Sequence, residues 1–170
     1  AGGVLVLCKD VQAIRSHYGI DKVLGDYAGN LAGSGERVTL VNHAGIVIQS
    51  VDYDDEGKWP VGPDGTGYTL SLKSLYLDPS EPESWRRSVQ RGGTLGAPTF
   101  PRVNPFELKL PRRPEVVEPR PELVFNELFR SASANEGWVE LYNAAGGTID
   151  LSGYHLTDDA DRVSDGDTFT

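Results

Sequence analysis

LVFNELFRSASANEGWVELYNAAGGTIDLSGYHL, residues 123–156, carries three short strand patterns and two turn signals. In Trp138-Val139-Glu140-Leu141-Tyr142-Asn143 side chains alternate between faces with period two. Val139 and Leu141 therefore point one way, and Trp138, Glu140 and Tyr142 the other. Both faces carry bulk, so this strand is expected to be covered on both sides. Over 123–129 the same alternation puts Leu123, Phe125 and Phe129 on one face, with Glu127 among them. The stretch SASANEG between the two runs reads as a loop by its Ser, Asn and Gly content. AAGG after Asn143 supplies a glycine turn. Thr148–Leu151 and Tyr154–Thr157 then flank Ser152-Gly153, as a hairpin or a sharply bent strand.

The first hundred residues show the same grain. Val4–Leu7 is an apolar strand run, and Asp10 is placed to cap a short helix through Gln12, Ala13 and Ile14 to Tyr18. Arg37–Val41 and Ile46–Tyr53 are β-rich and separated by Asn42-His43-Ala44-Gly45, a hairpin loop with Gly45 at a left-handed position. A long loop over 52–67 precedes a further short strand, Tyr68–Leu72. Between the two β-rich parts lies PRVNPFELKLPRRPEVVEPRPE, residues 101–122. Proline fixes φ and removes donors, so this reads as an extended, semi-rigid linker. Its arginines, including Arg112-Arg113, are balanced by its glutamates. Only Phe106–Leu110 alternates well enough to add an edge strand.

VFNELF, WVELYN and IDLSGYHLTD, in this order and spacing, resemble the opening half of a lamin tail domain, with Tyr154 where that family carries tryptophan. The segments GGVLVL, LAGSGERVTLVNHAGIVIQSVDY, WPVGPDGTGYTLSL and SWRRSVQRGGTLGAP resemble the closing half of a bacterial lamin tail domain. Leu95 stands there for an expected proline and Thr99 for an expected asparagine. The resemblance implies an all-β, immunoglobulin-like β-sandwich. It divides the chain into a closing half at 1–100, a proline-rich linker at 101–122 and an opening half at 123–170. The halves stand in reverse order, as if one tandem domain ended and the next began, with the chain cut inside secondary structure at both ends. The expectation that follows is that 123–170 docks onto 1–100 as a circular permutant, because each half alone leaves strand edges unpaired. The family further implies a noncatalytic module of a multidomain bacterial protein, secreted or on the cell surface. Its partners would be proteins, cell-surface polymers or neighbouring domains.

Composition fits such a module. Of 170 residues, 38% are hydrophobic and 20 are glycine, enough for a β core with many turns. No apolar run approaches the roughly eighteen residues of a membrane-spanning helix. The formal net charge is −9, and residues 123–170 are the most acidic part. Nucleic acid is therefore not an expected partner, since phosphates are neutralised by lysine and arginine clusters.

Candidate sites are few. Asp52, Asp54 and Glu56, followed by Gly57, have the spacing of the first ligands of a calcium loop, but Pro63 falls where a bidentate glutamate belongs. A solvated acidic loop is the competing reading. Asp158, Asp159, Asp161, Asp165 and Asp167 form a looser acidic set. Tyr53, Trp59 and Tyr68 either stack on sugar rings or close one end of the core. A calcium-dependent or carbohydrate-binding accessory domain of an extracellular hydrolase is thus the alternative function. Glu127 and Glu140 lie on neighbouring strand patterns and could be a catalytic carboxylate pair. The other reading has them binding backbone amides of an adjacent loop. His17, His43 and His155 lack metal-ligand spacing. Ser34 in GSGE lacks the nucleophile-elbow pattern. Cys8, the only cysteine, reads as a buried small residue.

Overall fold

The computed structural model describes residues 2–25, 30–61, 65–100, 121–130, 137–158 and 167–168. Along the chain these form β1 (Val4–Cys8), α1 (Val11–Tyr18), β2 (Val23–Leu24), β3 (Gly35–Val41), β4 (Val47–Asp54) and β5 (Leu70–Leu72). A single 3₁₀ turn at Pro82–Ser84 leads into β6 (Trp85–Arg87). Then come β7 (Leu123–Phe129), β8 (Trp138–Asn143), β9 (His155–Thr157) and β10 (Asp167–Thr168). The fold is all-β in character, with α1 its one α-helix among the described residues. Asp10 caps that helix, its side chain accepting from the Ala13 amide at 2.8 Å, and Gly19 ends it in the left-handed region at φ 65°. This is the cap-and-stop chemistry that short helices need.

Two sheets form. The larger has the order β2-β1-β8-β7-β5-β6 and the smaller β10-β9-β3-β4. All pairings are antiparallel except β1 with β2. Three ladders join residues 2–100 to residues 121–168. β1 runs against β8 from Val4↔Tyr142 to Cys8↔Trp138. β5 pairs β7 at Leu70↔Leu128 and Ser71↔Glu127, and β3 pairs β9 from Thr39↔Thr157 to Val41↔His155. The two segments therefore dock, and in the larger sheet the later segment supplies the two central strands.

The sheets share one core. Val38, Leu40, Val51 and Tyr53 of the smaller sheet pack against Leu7, Leu70, Leu72, Trp85, Phe125, Leu128, Val139 and Leu141 of the larger. Burying side chains of this size is worth about 1.5–3 kcal/mol each. The larger sheet is also covered on its outer face. There Val6, Cys8, Phe129 and Trp138, with Val23 of β2 alongside, pack with Ile14 of α1 and are flanked by Val11, Tyr18, Ile20 and Leu95. β8 is thus bulky on both faces because both faces are covered.

Three local expectations change. Phe129 does not share a face with Phe125: it packs on the outer face beside Trp138, with ring centroids 5.5 Å apart. The cause is a β-bulge. Phe125 pairs with Leu141 but Glu127 pairs with Glu140, so Asn126 is an extra residue on β7, and an extra residue reverses the phase of everything after it. Residues 148–151 form no strand. Asp150 instead accepts from the Ser152 amide at 2.9 Å, and the Tyr154 amide reaches the Leu151 carbonyl at 3.0 Å. These bonds close a turn in which Gly153 has φ 75°. The run 68–72 pairs only over Leu70–Leu72. The expected hairpin between β3 and β4 is present, with Gly45 at φ 76° and Asn42 accepting from the Ala44 and Ile46 amides, each at 2.9 Å. The expected edge strand at 106–110 and most of the linker lie outside the described residues.

Candidate functional site

The bulge on β7 decides the chemistry of the outer face. In an uninterrupted strand Asn126 and Glu127 would point to opposite sides. With Asn126 as the extra residue, both project outward, beside Glu140 of β8. All three are fully buried, at 0% exposure. They face the turn at 93–99, which closes over them.

Each carboxylate oxygen is bonded. Glu127 Oε1 accepts from the hydroxyls of Thr69 and Ser71, the latter at 2.6 Å. Glu127 Oε2 accepts from the Thr94 amide at 2.9 Å and the Thr94 hydroxyl at 3.2 Å. Glu140 Oε2 accepts from the Gly96 amide at 2.6 Å, and its Oε1 accepts from Asn126 Nδ2. The Asn126 amide also donates to the Ala97 carbonyl at 3.2 Å, while its oxygen accepts from the Thr99 amide at 3.0 Å. Three side chains from two strands thus hold the backbone of one turn at four positions, Thr94, Gly96, Ala97 and Thr99. Gly93 admits the turn to this depth. A Cβ there would lie 2.7 Å from Thr69 Cγ2 and 2.8 Å from Glu127 Cδ, at a φ of +73°, a backbone region L-residues avoid.

Burial pushes the Glu140 carboxyl up to about 8, because a charge is poorly solvated there. The Gly96 amide and Asn126 oppose that shift, and the nearby Glu127 adds to it. Burial thus favours the protonated form of Glu140, against the two N–H donors that favour its carboxylate. Beside the bulge, the Phe125 amide bonds across to the other sheet. Gln49 of β4, buried between the sheets, reaches across and accepts from it. Without that bond a buried donor would stand unsatisfied, at a cost of about 1–3 kcal/mol.

The carboxylate pair named from sequence is brought together, but in a dry setting. A general acid or nucleophile must reach substrate, and neither carboxylate touches solvent in this structure. Asn126, Thr69, Ser71, Gln49 and Thr94 were not singled out from sequence. The one signal was Asn126, a second polar residue beside Glu127 in a strand whose other residues are apolar.

The remaining candidates are scattered. Asp52 pairs with Arg37 at 2.9 Å on exposed surface, and Asp54 accepts from the Glu56 amide at 2.9 Å. Among the described residues no three His, Cys, Asp or Glu side chains gather as metal ligands, so Asp52, Asp54 and Glu56 form no coordinating group there. Of the second acidic set, Asp159, Asp161 and Asp165 lie outside the described residues. Tyr53 and Trp59 are core residues, each 8% exposed, and the Tyr53 hydroxyl lies 2.9 Å from both the Ala32 carbonyl and Glu36. They close the end of the core and offer no stacking face. Tyr68 alone stays half-buried, beneath the guanidinium of Arg87. Cys8 is buried. No described helix is long and apolar enough to cross a membrane.

Fold and site together define a two-sheet β module with a buried polar clamp. Compared with family models, curated proteins and solved structures, the chain matches none.

Proposed function

We propose that this chain is a noncatalytic binding or spacing module of lamin-tail type, an immunoglobulin-like sandwich completed in permuted order. Its setting would be a multidomain bacterial protein, secreted or at the cell surface, with proteins or surface polymers as partners. The observation that carries the reading is the carboxylate clamp. Glu127 and Glu140 come from the two strands that most resemble the family, VFNELF and WVELYN. Both are consumed in holding the 93–99 turn, so neither carboxylate of this pair is free for hydrolysis.

The test uses the purified chain, its Glu127→Gln and Glu140→Gln variants, whole bacterial cells and cell-wall polymers. Saturable binding is expected, kept by every variant that still folds, with no turnover of glycosides or esters. Substrate turnover that disappears in Glu127→Gln at an unchanged melting temperature would overturn the proposal.

A further inference from the structure

The larger sheet ends at β6, and past its last rung the chain builds a small basic surface. Leu70 pairs with Arg87 there. Tyr68, two residues before Leu70, points to the same side of the sheet. The Arg87 guanidinium lies 4.4 Å above the Tyr68 ring centroid, and that of Arg91 lies 5.9 Å from the same centroid. Both arginines are exposed.

Their backbone is firmly held. The Thr69 amide donates to the Ser88 hydroxyl at 3.0 Å, and the Ser88 amide to the Thr69 carbonyl at 3.0 Å. The Gly92 amide reaches the Gly67 carbonyl at 2.7 Å, and Gln90 Nε2 reaches the Gly93 carbonyl at 2.9 Å. Arg91 thus stands on a fixed turn. Val89, 84% exposed, stands on the same turn.

Neither arginine has an ion pair or hydrogen bond among the described residues, although the chain carries a net charge of −9. Arg37, by contrast, has found Asp52. Two cations on one ring repel each other, and the ring offsets only about 0.5–1 kcal/mol apiece at an exposed site. An oxyanion between them would relieve the repulsion and match the planar guanidinium fork.

We propose that Arg87, Tyr68 and Arg91 form a binding site for an acidic polysaccharide bearing carboxylate or sulfate groups. Val89 would give the apolar face of a sugar ring something to rest on. Nucleic acid fits less well. Duplex DNA carries a charge about every 1.7 Å of its axis, about every 3.4 Å on each strand, and most of it would face an acidic protein. The proposal rests on the binding-module reading and names its ligand class.

The full chain is titrated at low salt with alginate, dextran sulfate, neutral dextran and single-stranded DNA. Alginate or dextran sulfate should bind, the one that does identifying the anion, while neutral dextran and DNA should not. The double variant Arg87→Gln/Arg91→Gln should bind about tenfold more weakly or worse at an unchanged melting temperature. Arg37→Gln should keep wild-type affinity. Should the double variant melt early, Arg91→Gln alone, on the exposed turn, must still weaken binding. Failure of both polyanions to bind, equal binding of DNA, or undiminished affinity in the arginine variants would overturn the site. Undiminished affinity for alginate would refute these residues while leaving the binding module standing.

Discussion

Replacing Glu140 with glutamine removes the titration of a buried carboxyl while keeping its shape. In the folded chain that carboxyl holds its proton up to about pH 8, against an ordinary value of 4.5. Between those values the folded state is protonated where the unfolded state is not. Stability contributed by Glu140 is therefore full below the unfolded value and is lost as pH rises through the folded one. At about 1.36 kcal/mol per pH unit, the whole displacement amounts to roughly 5 kcal/mol as an upper bound. That is a large share of the about 5–15 kcal/mol that holds a typical domain together. Glutamine adds a cost that does not depend on pH. Both Glu140 oxygens face donors, Gly96 N–H and Asn126 Nδ2, so the new amide group must oppose one of them, at about 1–3 kcal/mol. Urea unfolding from about pH 5 to about pH 9 should then show the wild type falling and the variant staying comparatively flat. The variant should be the weaker at acid pH, and the gap should close or reverse at alkaline pH. Taking the difference between the two curves cancels the histidines and every other group they share. Parallel curves across that range would refute the reasoning.

The clamp's tight approach makes Gly93→Ala costly, by about 2–5 kcal/mol from backbone strain and overpacking together. Gly45→Ala has a similar φ and nothing within 4 Å, so denaturant midpoints should show only the strain, about 1–2 kcal/mol. Gln49→Leu strands the Phe125 amide between the sheets and should cost about 1–3 kcal/mol; a midpoint unchanged from wild type would mean the amide has another partner. Cys8, 0% exposed, should react with a thiol reagent only as fast as the protein opens, which labelling at increasing denaturant measures.

What could be read in the sequence follows from where local rules govern. Asp10 marks the start of α1 because capping is decided within a few residues. Gly45 marks the β3–β4 turn for the same reason. The two-sided burial of β8 was visible in Trp138 through Leu141 as bulk on both faces. The phase of β7 was not visible, because period-two reading assumes an unbroken ladder and Asn126 breaks it. Leu128 then takes the core position that alternation gives to Phe129. The clamp was half legible. Glu127 and Glu140 stand out as carboxylates on neighbouring strands, but their partners Thr94 and Gly96 lie 33 and 44 residues away, and nothing local announces such contacts. By sequence Trp59 and Tyr53 fit either sugar stacking or closure of one end of the core. Only the tertiary arrangement puts both in the core.

The strand order carries a consequence for how the chain holds together. β8 and β7 sit between β1 and β5, so without them the larger sheet falls into two unconnected pairs, β1 with β2 and β5 with β6. Neither pair could bury a face alone. Conversely, β7 and β8 by themselves form a two-stranded ribbon that exposes Phe125, Leu141 and Trp138. The clamp adds polar bonds between the same two segments, so they are tied through side chains as well as ladder edges. Cleaving the backbone between residues 100 and 121 should therefore leave the two pieces associated. They should elute as one species of intact size under native conditions and separate only in denaturant. Expressed apart, each should lack a cooperative melt until they are mixed. Elution of the cleaved chain as two smaller species, or a cooperative melt of residues 1–100 alone, would show that the ladders across β1–β8 and β5–β7 do not hold the fold together.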